Sequence, residues 1–169
     1  MGIEIERKYI IKLPDFEKSR EMSGYECSKI VQVYMPTSGG VSHRIRRRDL
    51  SSKTVFTETK KHRLDGMSAI EEEREITEAE YESLFAARDR TLNVITKTRH
   101  TFIYKNQLYE IDVYPEWRVS CIMETELNSR DSEALIPDFI TVIKQVTGNF
   151  AYSNHAMAKS FPPELEEIG

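Results

Sequence analysis

Apolar and charged residues alternate from position 3 to 11, the pattern of a strand with one buried face. Pro14 and Asp15 interrupt it, and residues 15–22 suit a helical turn or two. Alternation returns over 29–35, stops at a turn over 36–40, and resumes over 41–48. Leu50-Ser51-Ser52 turns the chain into a fourth strand over 54–61, and Asp65-Gly66 marks the loop before a fifth over 69–76. Thr77 with Glu80 three residues later is a capping-box pattern, so a helix is expected over 78–88 with Tyr81, Leu84 and Phe85 on one side. Strands are expected again over 92–104, 108–114 and 119–128, with Asn106-Gln107 as a hairpin turn. Pro137 at the first helical position predicts a second helix running to Val146 and ending at Gly148. A last short helix is expected over 153–160, before Pro162-Pro163 and an acidic tail. About eight short strands with tight connections predict a mainly β (α+β) fold, an antiparallel sheet curling on itself with a few flanking helices.

The length of 169 residues suits a single domain spanning 1–169. Charged residues make up 31% of the chain, above the usual quarter, so charge must stand where a core is expected. The net charge of −4 disfavours nucleic acid as a partner. Cys27 and Cys121 have no metal-type spacing and read as free thiols of a reducing compartment. The acidic, alternating N-terminus is unlike a secretory signal, and no apolar run approaches the ~18 residues of a membrane span. The expectation is a cytoplasmic protein with no membrane partner.

The charges sort by strand. Residues i, i+2 and i+4 share a face, which groups Glu4, Glu6 and Lys8 on the first strand and Arg44, Arg46 and Arg48 on the third. The same rule groups Glu58 with Lys60, Glu73 with Glu75, and Lys97 with Arg99. It groups Glu110 with Asp112 and Glu124 with Glu126. Any one of these would suit a solvated outer face. Their recurrence and segregation argue otherwise, because like charges held side by side cost energy and a merely soluble surface mixes signs. If the sheet closes with these faces inward, six bases (Lys8, Arg44, Arg46, Lys60, Lys97, Arg99) share a lumen with the acids. Such a lumen suits a phosphate-rich anion: Arg and Lys match phosphate oxygens, and clustered carboxylates match hard divalent cations. Lys61 is a rival to Lys60, since a bulge in the strand would exchange them. The four histidines show no ligand spacing, and Trp117 beside Pro115 reads as loop or barrel-mouth packing.

Glu4-Ile5-Glu6-Arg7-Lys8 resembles the ExExK signature of the CYTH superfamily, the triphosphate tunnel metalloenzymes. The resemblance continues in order through Gln32-Val33-Tyr34, Arg44-Ile45-Arg46, Lys60, Glu73-Arg74-Glu75 and Lys97-Thr98-Arg99. It ends with Glu110-Ile111-Asp112, Glu124-Thr125-Glu126 and Tyr152-Ser153-Asn154, and so spans roughly residues 3–160. It implies a closed eight-stranded antiparallel β-barrel enclosing a tunnel. It implies that Lys8, Arg44, Arg46, Lys60, Lys97 and Arg99 hold a triphosphate. Glu4, Glu6, Asp112, Glu124 and Glu126 would hold Mg²⁺ or Mn²⁺, with Glu73, Glu75, Glu110 and Tyr34 in support. Glu4, Glu6, Lys8 and Glu126 are the implied catalytic set. The implied activity is metal-dependent hydrolysis of a triphosphate-bearing small molecule. Inorganic tripolyphosphate is the expected substrate, because the identifiable residues address only phosphates. Three alternatives stay open: a thiamine or nucleoside triphosphatase, an adenylate cyclase of the same family, and a non-catalytic polyphosphate- or nucleotide-binding module. The family analogy also carries the expectation of a homodimer.

Overall fold

A computed structural model describes residues 2–37 and 39–167. Among the described residues, nine strands form one antiparallel sheet: β1 (Gly2–Lys12), β2 (Ser23–Tyr34), β3 (Val41–Asp49), β4 (Thr54–Arg63), β5 (Ser68–Ile76), β6 (Ile95–Tyr104), β7 (Gln107–Val113), β8 (Ser120–Glu126) and β9 (Val142–Gln145). The strand order is β5-β4-β3-β2-β6-β7-β8-β1-β9, and a further β5–β1 pairing closes the first eight into a barrel. One edge of β1 is divided. Gly2 to Ile5 pair with β5 and complete the ring, while Tyr9 to Ile11 pair with β9. The expected eight-stranded barrel is present, with β9 added outside the ring.

Three helices decorate it: α1 (Phe16–Arg20), α2 (Glu78–Ala86) and α3 (Asn154–Lys159), with a 3₁₀ turn over Phe150–Tyr152 just before α3. α2 starts at the predicted capping box, where the Thr77 side chain accepts from the Glu80 N–H and the Glu80 carboxylate accepts from the Thr77 N–H. The second predicted helix does not form. Residues 137–141 are irregular, and Val142–Gln145 is strand β9. Pro137 does suit a helix start, but the open edge of β1 offers backbone partners that Val142 to Gln145 take instead. The β6–β7 hairpin also turns one residue earlier than expected. Tyr104 pairs with Gln107, so the loop is Lys105-Asn106, both at positive φ as a two-residue type I′ turn requires.

Apolar residues form three clusters. The outward residues of β6, β7, β8 and late β1 (among them Phe102, Tyr109, Ile111 and Met123) are covered by α1 and the segment around Ile140. The outward residues of β2–β5 (Val33, Ile45, Ile76) pack under Tyr81, Leu84 and Phe85 of α2. The third cluster lies at the end of the barrel where the β2–β3 and β4–β5 turns stand. There Ile10, Ile95, Tyr114 and Ile122 meet Trp117, Tyr152 and Met157, so α3 and its lead-in plug part of that end. With apolar residues outside the wall and at one end, the rest of the lumen is left to charge. Among the described residues, no helix is long and apolar enough to cross a membrane.

Candidate functional site

The barrel encloses a cavity of about 870 Å³. Strand parity decides what reaches it. β1 presents Glu4, Glu6 and Lys8; β3 presents Arg44, Arg46 and Arg48; β7 and β8 present Glu110, Glu124 and Glu126. β6 presents Arg99, and Tyr34 and Glu73 line the wall as well. These residues follow the expected inward faces.

β4 corrects the expectation. Lys60 is exposed and pairs across to Glu72 on the outer face, whereas Lys61 and Arg63 line the cavity. Glu58, grouped with Lys60 above, is also outward and binds His43 and Arg74. The inward residue beside it is Thr59, which is buried and donates to Glu73 at 2.8 Å. No bulge is involved: β3 and β4 pair without a break from Val41↔His62 to Asp49↔Thr54. The inward set of β4 simply holds threonines where charge was expected, so charge alone pointed to the wrong parity. On β5, Glu71 and Glu73 line the cavity and Glu75 does not. Glu71 shares its parity with Glu73, so the same every-second-residue rule could have found it; it stands opposite Gly2 of β1 at the ring closure.

Lys97 and Asp112 sit beneath the lining rather than in it. They are 3% and 2% exposed. Asp112 accepts from Lys97 Nζ at 2.8 Å through Oδ2. It also takes both prongs of Arg99, Nε at 2.7 Å on Oδ1 and Nη2 at 2.9 Å on Oδ2. Arg99 then reaches Glu110 at 2.8 Å through Nη1. Burial works to raise the Asp112 carboxyl, but Arg99 and Lys97 outweigh it and hold the group well below the usual carboxylate range. Burial, with Arg99 and Arg46 close by, pulls Lys97 down to about 7. Asp112 thus has both oxygens engaged by bases. It serves as the counter-ion that fixes Arg99, in place of the expected metal-ligand geometry.

The two sides of the cavity differ in kind. On the β3–β4 side, Arg44, Arg46, Arg48 and Arg63 have no carboxylate within salt-bridge reach among the described residues. Arg46 is held by a neutral group, Gln32 Oε1 at 2.7 and 3.1 Å, and Gln32 in turn donates to the Tyr34 hydroxyl at 2.7 Å. Burial, then the neighbouring Arg44 and Arg99, bring Arg46 down to about 9. Arg48 rests on Ser28 Oγ at 2.8 Å. The Nε of Arg44 is buried with no hydrogen-bond partner. Leaving a charged donor unsatisfied costs more than leaving a neutral one, so this wall favours an anion.

Around the ring from β8 through β1 to β5 runs an acid wall of Glu4, Glu6, Glu71, Glu124 and Glu126, with Glu71 beside Lys61 of β4. Burial, then Glu124 and Glu4, push the Glu6 carboxyl well above its usual range. Burial and a hydrogen bond with Glu4 raise Glu71 to about 7. Burial acts against ionising Glu4, but hydrogen bonds with Glu71 and Glu6 and the charge of Lys61 keep it well below the usual range. Glu124, against the same penalty, is brought to about 2 by Lys8 and a hydrogen bond with Glu6. Lys8 Nζ lies 3.3 Å from Glu124 and donates to the Tyr152 carbonyl at 3.2 Å. Lys61 Nζ bridges Glu4 at 3.3 Å and Glu71 at 3.6 Å. Among the described residues no three acidic, histidine or cysteine side chains already converge on one point. The chemistry of the donor set nevertheless fits a hard divalent cation. Burial and neighbouring carboxylates raise the proton affinity of Glu6 and Glu71, and an oxygen-seeking cation would relieve the same repulsion.

His155, at the start of α3, also lines the cavity and stands edge-on to Tyr34 at 5.0 Å. Nothing in its spacing signalled this; its neighbours Ser153 and Asn154, part of the C-terminal motif, were the nearest clue. Tyr114 donates to Asn154 at 2.7 Å and so ties α3 to β7's end.

No protein-family model matches the chain, and no curated protein matches it by sequence. Solved structures do. The inorganic triphosphatase NE1496 is 25% identical with a TM-score of 0.58, covering 96% of this chain and 98% of that one. The protein PH1819 of Pyrococcus horikoshii is 22% identical with a TM-score of 0.57, covering 76% and 80%. A conserved hypothetical protein of Pyrococcus furiosus is 22% identical with a TM-score of 0.58 over the same shares. The two Pyrococcus likenesses speak to the fold alone.

Proposed function

From the premise that the chain has the fold of the CYTH superfamily, we propose that it hydrolyses a triphosphate in the barrel with the help of a divalent metal. The observation that carries this reading is the base wall: four guanidiniums without carboxylate partners, one with a buried unsatisfied Nε, sharing the lumen with five glutamates. An anion-binding module would need the first wall and not the second. The likeness to an inorganic triphosphatase supports hydrolysis over mere binding. Inorganic tripolyphosphate is the proposed substrate, because the charged residues of the lining address only phosphates.

Arg44, Arg46 and Arg48 would take the phosphate oxygens, each through a planar fork. Arg99 is already aimed by Asp112 and Glu110, so little entropy is lost when it engages a phosphate. Lys8, fixed between Glu124 and the Tyr152 carbonyl, would neutralise charge where the phosphate chain meets the acid wall. Glu4, Glu6, Glu71, Glu124 and Glu126 would hold Mg²⁺ or Mn²⁺. Bound there, the metal supplies charge neutralisation and lowers the pKa of a coordinated water. The chain's own task is positional. It keeps anion and carboxylates on separate walls and presents preorganised donors to the charge that develops on the leaving phosphate.

Conversion of Glu4 or Glu126 to Gln removes a charge with little change of shape. Phosphate release from tripolyphosphate at saturating Mg²⁺ should fall at least ~100-fold, the scale expected when preorganised electrostatic stabilisation is lost. Either variant turning over at the wild-type rate would contradict the assignment of the acid wall.

A further inference from the structure

Arg63 is the last residue of β4 and the outermost base of its row. It lies two inward positions beyond Thr59, the partner of Arg44. At the strand rise this is roughly 13 Å along the wall. It lines both the main cavity and a small recess beside it, shared with Lys8 and Ser153. Among the described residues no carboxylate lies within salt-bridge reach of it. Its guanidinium instead stands over the ring of Phe150, 5.4 Å from the centroid. Phe150 is 59% exposed and packs into none of the apolar clusters, so folding alone does not account for an aromatic side chain there.

The backbone holds this pair together. The β4–β5 turn and the segment before the 3₁₀ turn touch at two glycines. A Cβ on Gly148, which has φ +76°, would meet the Gly66 carbonyl oxygen at 3.1 Å, and one on Gly66 would meet the Gly148 Cα at 3.3 Å. This contact lets the turn that follows Arg63 reach the segment that carries Phe150. Asn149 fixes the last step, its side chain accepting from the Ala151 N–H at 3.1 Å. A guanidinium packed on an aromatic face keeps its edge donors available to an anion.

Resting on the function proposed above, we infer that Arg63, with Phe150 as its positioning residue, is a rim contact that grips the outer phosphate of the chain and selects for length. The inner bases Arg44 and Arg46 satisfy two phosphates. A third phosphate extends the anion along the row toward Arg63. Without Arg63 the barrel holds diphosphate as well as before and triphosphate less well.

The test is equilibrium binding of tripolyphosphate and of pyrophosphate, with EDTA present so that neither anion is turned over, to wild type, Arg63→Gln, Phe150→Leu and Phe150→Tyr. Thermal unfolding of each variant verifies that it folds. R63Q should weaken tripolyphosphate about tenfold, as expected for one charge-assisted contact, and leave pyrophosphate within about twofold. F150L should reproduce the loss in weaker form, and F150Y, which keeps the ring, should restore wild-type affinity. Equal loss for both anions, no loss for either, or an F150Y variant as weak as F150L would overturn the inference. A wild type that binds neither anion would instead overturn the function on which it rests, and Arg63 with it.

Discussion

Asp112 shows how a single side chain divides work between stability and the site. It is buried with two bases on its two oxygens, and one of these bases, Arg99, continues into the lumen. A buried charge pair is weak evidence of net stabilisation, but removing one partner leaves uncompensated charge in the interior. Asp112→Asn should therefore lower unfolding free energy by about 3–5 kcal/mol, as broken buried pairs do. Denaturant unfolding monitored by circular dichroism checks this. A loss near zero would contradict the reading of Asp112 as the counter-ion of Lys97 and Arg99. At the same scale, the buried Arg44 Nε takes no hydrogen-bond partner from the chain itself.

At the scale of elements, strand parity is the decisive variable. The unbroken β3–β4 register puts Lys61 in the lumen and Lys60 outside. Lys61→Met should cut metal-dependent turnover strongly, because Glu4 and Glu71 lose the base that bridges them, while Lys60→Met should leave it within about twofold as a surface change. Matched initial rates for the two variants decide the point, and the reverse order would refute the parity. Parity was legible in β1, β3, β6, β7 and β8, where like charges recur at every second position. It was not legible in β4, where inward Thr57 and Thr59 are uncharged and outward Glu58 and Lys60 carry the charge. Strand β9 was hidden for a different reason. Its partner is the second half of β1, more than a hundred residues earlier, and Pro137 gave a genuine local signal for a helix. His155 depends in the same way on the docking of α3, which has no local signature, whereas Glu71 was legible by its shared parity with Glu73.

For the whole molecule, segregated charge makes stability a function of pH and of cations. Glu71, raised from 4.5 to about 7, and Glu6, raised well above its usual value, both bind protons in the fold that they release in the unfolded chain. A raised carboxyl gives its full contribution below the unfolded pKa and loses it as pH climbs toward the folded one. The melting temperature should thus fall between about pH 5 and 7 in the absence of divalent cations, with Glu4 and Glu71 titrating as a unit. Mg²⁺ should raise it more at pH 7 than at pH 5, since at the lower pH protons already neutralise the acid wall. Melting curves at the two pH values, with Mg²⁺ and with EDTA, test this; a cation effect independent of pH would place binding elsewhere.

On the proposed function, an anion and a cation meet between the barrel's two walls. The direct measurement is orthophosphate release from inorganic tripolyphosphate by the wild-type chain, with saturating Mg²⁺ and with EDTA. Rapid release with Mg²⁺ and none with EDTA is the predicted result. No release with either Mg²⁺ or Mn²⁺, from protein that binds tripolyphosphate tightly, would contradict the account and leave the barrel a polyphosphate-binding module.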